Sequence, residues 1–342
     1  MSGFGQSFRE RRERQEGQVG KIVEDQSSGR ESFAGVSRLL DGVPQLEKTT
    51  NLYSYVILMG TGILLEKKLS AAGNEDSVAG NENKDKRELL KRMCIWLPVN
   101  EKPGTHTLYF PHVQEHLNSV QKGLLTNGYQ LKLCKIESIE RGLVSAGGAF
   151  GKVPFEVGLA FDPVFNVPYI PASSLKGAFR QALELKWDKD MAELIFGGKN
   201  EAGLIGVTDA YPVQIKVEDQ RGGVPRLFEP DVLTPHYPGK EVEINVQPNP
   251  VVFATIAPGV VFEFYVYYNR ELRRGKVEVS DVFGSAKHIY EGDLAAVNFA
   301  GKSIKDLPAV DLTIVYALTR GIGAKSSLGY SRFKLLEYRK VS

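Results

Sequence analysis

Two stretches of this chain have the residue types and spacing to hold a phosphate backbone. One runs Arg320-Gly321-Ile322-Gly323-Ala324-Lys325-Ser326-Ser327-Leu328-Gly329-Tyr330-Ser331-Arg332-Phe333. Its close glycines let backbone N–H groups reach an anion with no Cβ in the way. Arg320, Lys325 and Arg332 bring charge. Ser326 and Ser327 can donate to phosphate oxygens, and Tyr330 and Phe333 carry rings able to stack on bases. The spacing fits neither a P-loop nor a dinucleotide-binding fingerprint. From residue 320 on, six basic residues stand against one acidic, whereas the whole chain nets only +2.

The other stretch, Pro168-Tyr169-Ile170-Pro171-Ala172-Ser173-Ser174-Leu175-Lys176-Gly177-Ala178-Phe179-Arg180, enters a helix. Ser173 or Ser174 is the natural N-cap, and a helix N-terminus with free amides is an anion site in principle. Lys176 and Arg180, four apart, share a face and suit successive phosphates. Gly177 within the helix costs about 1 kcal/mol against Ala, which suggests close approach of chain or ligand. Asp209, Asp231 and His236 are the candidates for acid–base chemistry, the last two joined across Pro235. Plain structural roles for all these residues stay open: a capped helix, a turn into an edge strand, a carboxylate in a turn. His112 and His116 lie four apart, but no HExxH and no nearby cysteine accompany them. No metal or other cofactor is therefore expected.

Several elements must position these residues. Residues 1–30 are polar and charged and read as a flexible arm; 72–86 read as a disordered insertion. Leu52 to Leu65 reads as a buried segment, and helical periodicity from Leu89 to Leu97 stops at Pro98. Strand-like spacing begins at Tyr129 and runs to Val144. A helix follows Pro171 and a second spans 188–196. Strands are expected at 204–208, 226–233, 251–256 and 261–268, then a helix at 308–318 and a strand at 330–338. Strands, helices, strands, helix, strand make the class α+β. The domains read as 1–30, a mainly helical extension 31–128, and a core 129–342.

With 342 residues and 42% apolar content, a core needs no staples. The two cysteines, Cys94 and Cys134, form no CxxC pair and suit a reducing compartment. No apolar run is long enough to span a bilayer and no leader-like segment opens the chain, so a cytoplasmic location without membrane contact is the expectation.

Taken together, the two stretches resemble the RAMP superfamily of CRISPR–Cas systems. Its hallmarks are a Pro-Gly-Ser-Ser-Leu-Lys-Gly-type helix entry and a glycine-rich loop ending Gly-Tyr-Gly-[Arg/Lys]-Phe. Ala172 and Ser331 replace two of the family glycines, and each replacement is expected to weaken backbone approach to RNA. Ile195-Phe196-Gly197, Ile205 to Pro212 and Asp231-Val232-Leu233-Thr234-Pro235-His236-Tyr237 are similar to further motifs, the last found in the family of sixth subunits of the Cmr module, the type III-B effector. The resemblance runs from about residue 130 onward. It implies a ferredoxin-like (RRM-like) core, an antiparallel sheet with helices on one face. It also implies a non-catalytic subunit that grips guide RNA near its 3′ end and packs against other Cmr RAMP subunits, above all the repeating backbone subunit. Target RNA would be met indirectly, through base pairing. The residues expected to contact RNA are Ser173, Ser174, Lys176, Arg180, Arg320, Gly321, Gly323, Lys325, Ser326, Ser327, Gly329, Tyr330 and Arg332. Two alternatives stay open: a RAMP endoribonuclease using Asp231 and His236, and a purely protein-binding cap.

Overall fold

The structure, a computed structural model, describes residues 46–47, 50–71, 78–97, 100–101, 107–186, 189–199, 202–216, 225–233, 250–268, 273–274, 277–278 and 309–341, with backbone alone for 66–71, 78–83, 100–101, 273–274, 277–278 and 309. The predicted arm, Thr234 to Tyr237 and His106 lie outside these residues. All described elements belong to one compact unit, Leu46–Ser342.

In chain order they are α1 (Leu52–Ala71), α2 (Val78–Ile95), β1 (Asn100–Glu101), β2 (Thr107–Tyr109), α3 (Pro111–Thr126), β3 (Gln130–Ser138), α4 (Lys152–Phe155), β4 (Phe161–Asp162) and β5 (Val167–Pro168). Then come α5 (Ala172–Lys186), α6 (Lys189–Phe196), β6 (Ile205–Val207), β7 (Tyr211–Lys216), β8 (Phe228–Leu233), β9 (Val251–Ile256) and β10 (Val260–Tyr268). The chain continues through β11 (Arg273–Arg274), β12 (Val277–Glu278), α7 (Ala309–Arg320) and β13 (Phe333–Val341). The helix predicted after residue 86 starts earlier, at Val78, so 78–86 are helical rather than part of an insertion; 72–77 lie outside the described residues.

The main sheet runs β1-β2-β7-β10-β3-β13, all antiparallel, with β6 also pairing β10. Its centre is β3 against β10, in register from Val261↔Glu137 to Tyr268↔Gln130. Within it, β3, α5, β7, β10, α7 and β13 form a strand–helix–strand–strand–helix–strand unit whose strands lie side by side as fourth, first, third, second.

Alternate residues of β3 and β10 face opposite sides. Phe264 and its partner Cys134 turn toward α5 and α7: Phe264 lies 6.3 Å from the Phe179 ring of α5. Nearby, Lys132 binds both oxygens of Asp311 on α7, at 2.8 and 2.6 Å. Tyr338 of β13 donates to the same carboxylate at 2.6 Å. Glu263 and Lys135 turn the other way, and α3 meets them there. Gln114 donates to Glu263 at 3.4 Å, and the Tyr265 hydroxyl lies 3.1 Å from Gln121 Oε1. The expectation of helices on one face is thus corrected. α3, from the predicted extension, covers the second face, and β1 and β2 lengthen the same sheet.

The smaller units complete the frame. α1 and α2 pack together, α1 against α4 and α2 against the β8–β9 hairpin. α1 is capped by a local and a remote side chain: Asn51 accepts from the Ser54 amide at 2.9 Å and Asn166 from the Leu52 amide at 2.8 Å. Among the described residues no helix is long and apolar enough to cross a membrane.

Candidate nucleic-acid interface

The glycine-rich segment links the end of α7 to the start of β13, and its shape follows from its left-handed residues. Gly321 and Gly323 have φ of +98° and +115°. A Cβ on either would stand 2.7 Å from a backbone oxygen, that of Tyr330 or of Leu143. These glycines therefore let the loop fold against its own chain, rather than opening it to a ligand. Gly329 differs: its φ is +94° and nothing lies within 4 Å of its Cβ position. Ser331 also has positive φ, +55°, a conformation that glycine would adopt without strain. It is fully buried, and its Oγ accepts from the Leu143 amide at 2.8 Å. The expected loss of RNA approach at Ser331 is thus corrected: the position faces the protein's own interior.

Most loop amides are spent internally. Ile322 donates to Ser331, Ala324 to Leu143, Gly329 to Ser326, Tyr330 to Lys325 and Ser331 to Arg141. Among the described residues the amides of Gly323, Lys325, Ser326 and Ser327 find no acceptor. Three of these are consecutive and lead into the single 3-10 turn Ser326–Leu328, entered by Lys325 in the left-handed conformation. Successive free amides after such a residue form a concavity that suits an anion.

The turn stands as a ridge between two clefts. One, about 390 Å³, is bounded by α5 (Ala178, Gln181, Leu185), by α7 (Tyr316, Arg320) and by Ser326, Ser327 and Arg332 of the loop. The other, about 520 Å³, is lined by Glu140, Arg141, Ser327, Leu328, Gly329, Tyr330 and Arg332. Ser327 and Arg332 belong to both. Arg320 and Arg332 are exposed. The Arg320 guanidinium lies 5.9 Å from the Tyr316 ring centre. Lys325 is half-buried, its ammonium 5.7 Å from the Phe253 ring and 5.6 Å from that of Tyr330.

Behind the second cleft lies a charged anchor that the sequence did not disclose. Arg141 meets Glu229 at 3.2 Å and Asp231 at 3.0 Å. Asp231 also accepts the Tyr330 hydroxyl and the Val232 amide. Burial first, and then the bond to Asp231, push the Tyr330 hydroxyl up to about 12. Asp231, a candidate for acid–base work, is thus engaged in fixing the loop, while its intended partner His236 lies outside the described residues. Phe333, expected to stack on bases, is a core residue packed edge-on at 6.3 Å from Phe262.

α5 brings the second predicted stretch to the first cleft. Ser174 lies one turn before Ala178, on the side that lines it. The predicted serine cap is replaced: the helix opens at Ala172, whose amide donates to Asp209 Oδ1 at 2.6 Å. The Ser174 and Leu175 amides donate to Pro171, which leaves Ser173 as the first-turn amide with no acceptor among the described residues. Lys176 and Arg180 share a face, but on the opposite flank of the buried stripe Leu175-Phe179-Ala182-Leu183 from the cleft. Arg180 is committed to Glu184 at 2.9 Å, Glu193 at 3.0 Å and the Gly197 carbonyl at 3.0 Å. Lys176 has no partner among the described residues, and burial lowers its pKa. Gly177 is exposed with nothing within 4 Å of its Cβ position, so no part of the described chain requires it. The His112–His116 pair splits: His112 lies 3.8 Å from Glu115, and His116 packs on Phe165 and Tyr211 at 4.9 and 5.5 Å.

The model of the RAMP superfamily matches residues 58–334. The chain is similar to the CRISPR system CMR subunit Cmr6 of Saccharolobus solfataricus, 36% identical over 228 residues. That match covers 66% of this chain and 63% of the relative, so it spans less than two thirds of the relative's length. It is also similar to a chain in the cryo-EM structure of the type III-B Cmr-beta bound to cognate target RNA. There the TM-score is 0.64 at 27% identity, over 86% of this chain and 93% of that one.

Proposed function

Because the chain belongs to the RAMP superfamily, we propose that it is a non-catalytic subunit of a type III-B RNA-guided effector complex, binding the guide RNA backbone near its 3′ end. Other Cmr RAMP subunits, the repeating backbone subunit among them, are its protein partners, and target RNA is met through base pairing with the guide. The task is defence against foreign RNA or DNA in the cytoplasm. The observation that carries this reading is the ridge at Lys325 to Leu328. Unspent amides, two exposed arginines and the open face of α5 converge there, as a sugar–phosphate chain requires. Likeness to the subunit of Saccharolobus solfataricus and to a chain of an RNA-bound complex supports the same assignment.

The core is a ferredoxin-like unit within 129–342, an inference supported by the fourth–first–third–second strand order. The segment 31–128 is its extension and 1–30 an arm. The ribonuclease alternative is disfavoured because both Asp231 oxygens are already engaged by Arg141, Val232 and Tyr330.

Photocrosslinking of guide RNA to the full chain in its assembled complex tests the reading. Crosslinked peptides should fall in 320–332 and 173–177. Crosslinks confined to other surfaces, or RNA cleaved by the purified chain and spared by Asp231→Ala, would overturn it.

A further inference from the structure

The two clefts beside the ridge differ in charge. The cleft on the α5 and α7 side is lined by Arg320 and Arg332 with no carboxylate. The other contains Glu140, which has no ion pair among the described residues, and its Arg141 is matched by Glu229 and Asp231. A phosphate is drawn to the first side and gains little on the second. Among its polar groups the second side carries one apolar and one planar side chain. Leu328, at the tip of the turn, is 72% exposed, and Tyr330 forms part of the wall. Glu140 is an acceptor there and Arg332 a donor. The volume, about 520 Å³, falls within the usual range of small-molecule sites, roughly 300–1,000 Å³.

A nucleotide has the same two-sided character: a charged phosphate at one end, and a flat, largely apolar base with polar edges at the other. We propose that the cleft lined by Glu140, Arg141, Leu328 and Tyr330 is a nucleobase pocket. One nucleotide straddles the ridge at Ser327, its phosphate on the Arg320 side and its base against Leu328 and the Tyr330 ring. The Asp231–Tyr330 hydrogen bond holds that ring in place, and Leu328 separates this base from its neighbour, as apolar wedges do in other nucleic-acid complexes. This inference rests on the RNA-binding reading above and adds a base contact to it.

The test compares the full chain's binding of a short single-stranded RNA with that of an oligonucleotide of equal phosphate charge lacking all bases. Wild type should bind the base-containing RNA about tenfold more tightly, in keeping with the usual strength of stacking contacts. Leu328→Ser, at an exposed position that leaves the core untouched, should bring the two affinities together and leave the salt dependence unchanged. Equal affinities in wild type, with a normal salt dependence, overturn the pocket but spare the RNA-binding reading. A preference that survives Leu328→Ser also overturns it and places the base contact elsewhere. Failure to bind either oligonucleotide removes the RNA-binding reading and the pocket with it.

Discussion

Ser331 stands where the family carries glycine, and its geometry explains both residues. A φ of +55° strains an L-residue by about 1–2 kcal/mol. The serine hydroxyl offsets this by accepting the otherwise orphaned Leu143 amide in a fully buried place. Ser331→Ala keeps the strain and loses the acceptor, so it should destabilise the fold by about 1–3 kcal/mol in urea titrations; Ser331→Gly should cost less. Lys176 makes the opposite kind of case. Burial lowers its pKa from the ordinary 10.5, with no partner among the described residues to compensate. Between the lowered value and 10.5 the folded chain holds fewer protons than the unfolded, so this group makes stability rise with pH there. Below that window its unmatched charge is a constant cost. Lys176→Met should therefore raise the melting temperature at neutral pH, a gain that vanishes above pH 10.5. The sequence named both residues; it did not tell that Ser331 faces the interior, because its left-handed φ is visible only in the folded backbone.

At the scale of elements, most of the longer strands and helices were legible from periodicity, and β9 matched residue for residue. Two of the larger elements were hidden for physical reasons. β7 contains Pro212, which argues against an inner strand. The chain tolerates it because β2 pairs only from Gln214 to Lys216, and Pro212 sits at a register shift against β10. α3 buries only Val113 and Leu117, since it meets the sheet through Gln114 and Gln121 and so lacks a broad apolar stripe. α7 is held differently, by Asp311 between Lys132 and Tyr338. Asp311→Ala strands a buried ammonium and should destabilise by about 3–5 kcal/mol. Asp209→Ala removes only the cap of α5 and should cost about 1 kcal/mol. Chemical denaturation of the two variants side by side measures the contrast.

Across the whole molecule, a net charge of +2 excluded a uniformly basic protein and left local placement to decide. The folded chain refines this. Of the cations expected to grip RNA, Arg180 is committed to two carboxylates, Lys325 lies over two aromatic rings and Lys176 lies on the other flank of α5, whereas Arg320 and Arg332 border the cleft. The convergence of these two arginines with the unspent loop amides could not be read from the sequence, because it depends on α5 and α7 packing side by side on one face of the sheet. The stretch before residue 129 was less legible for a related reason: it carries no motif, and among its described residues β1 and β2 extend the sheet's edge, α3 covers its second face, and α1 and α2 pack on α4 and the β8–β9 pair.

The most direct test is the salt dependence of RNA binding by the full chain and by Arg320→Ala/Arg332→Ala. Each phosphate contact on a single strand contributes about 0.7 to the slope of log affinity against log salt, so losing both should flatten it by about 1.4. Affinity at low salt should fall with it, with thermal stability retained. An unchanged slope and affinity would contradict the account and leave the ridge without RNA.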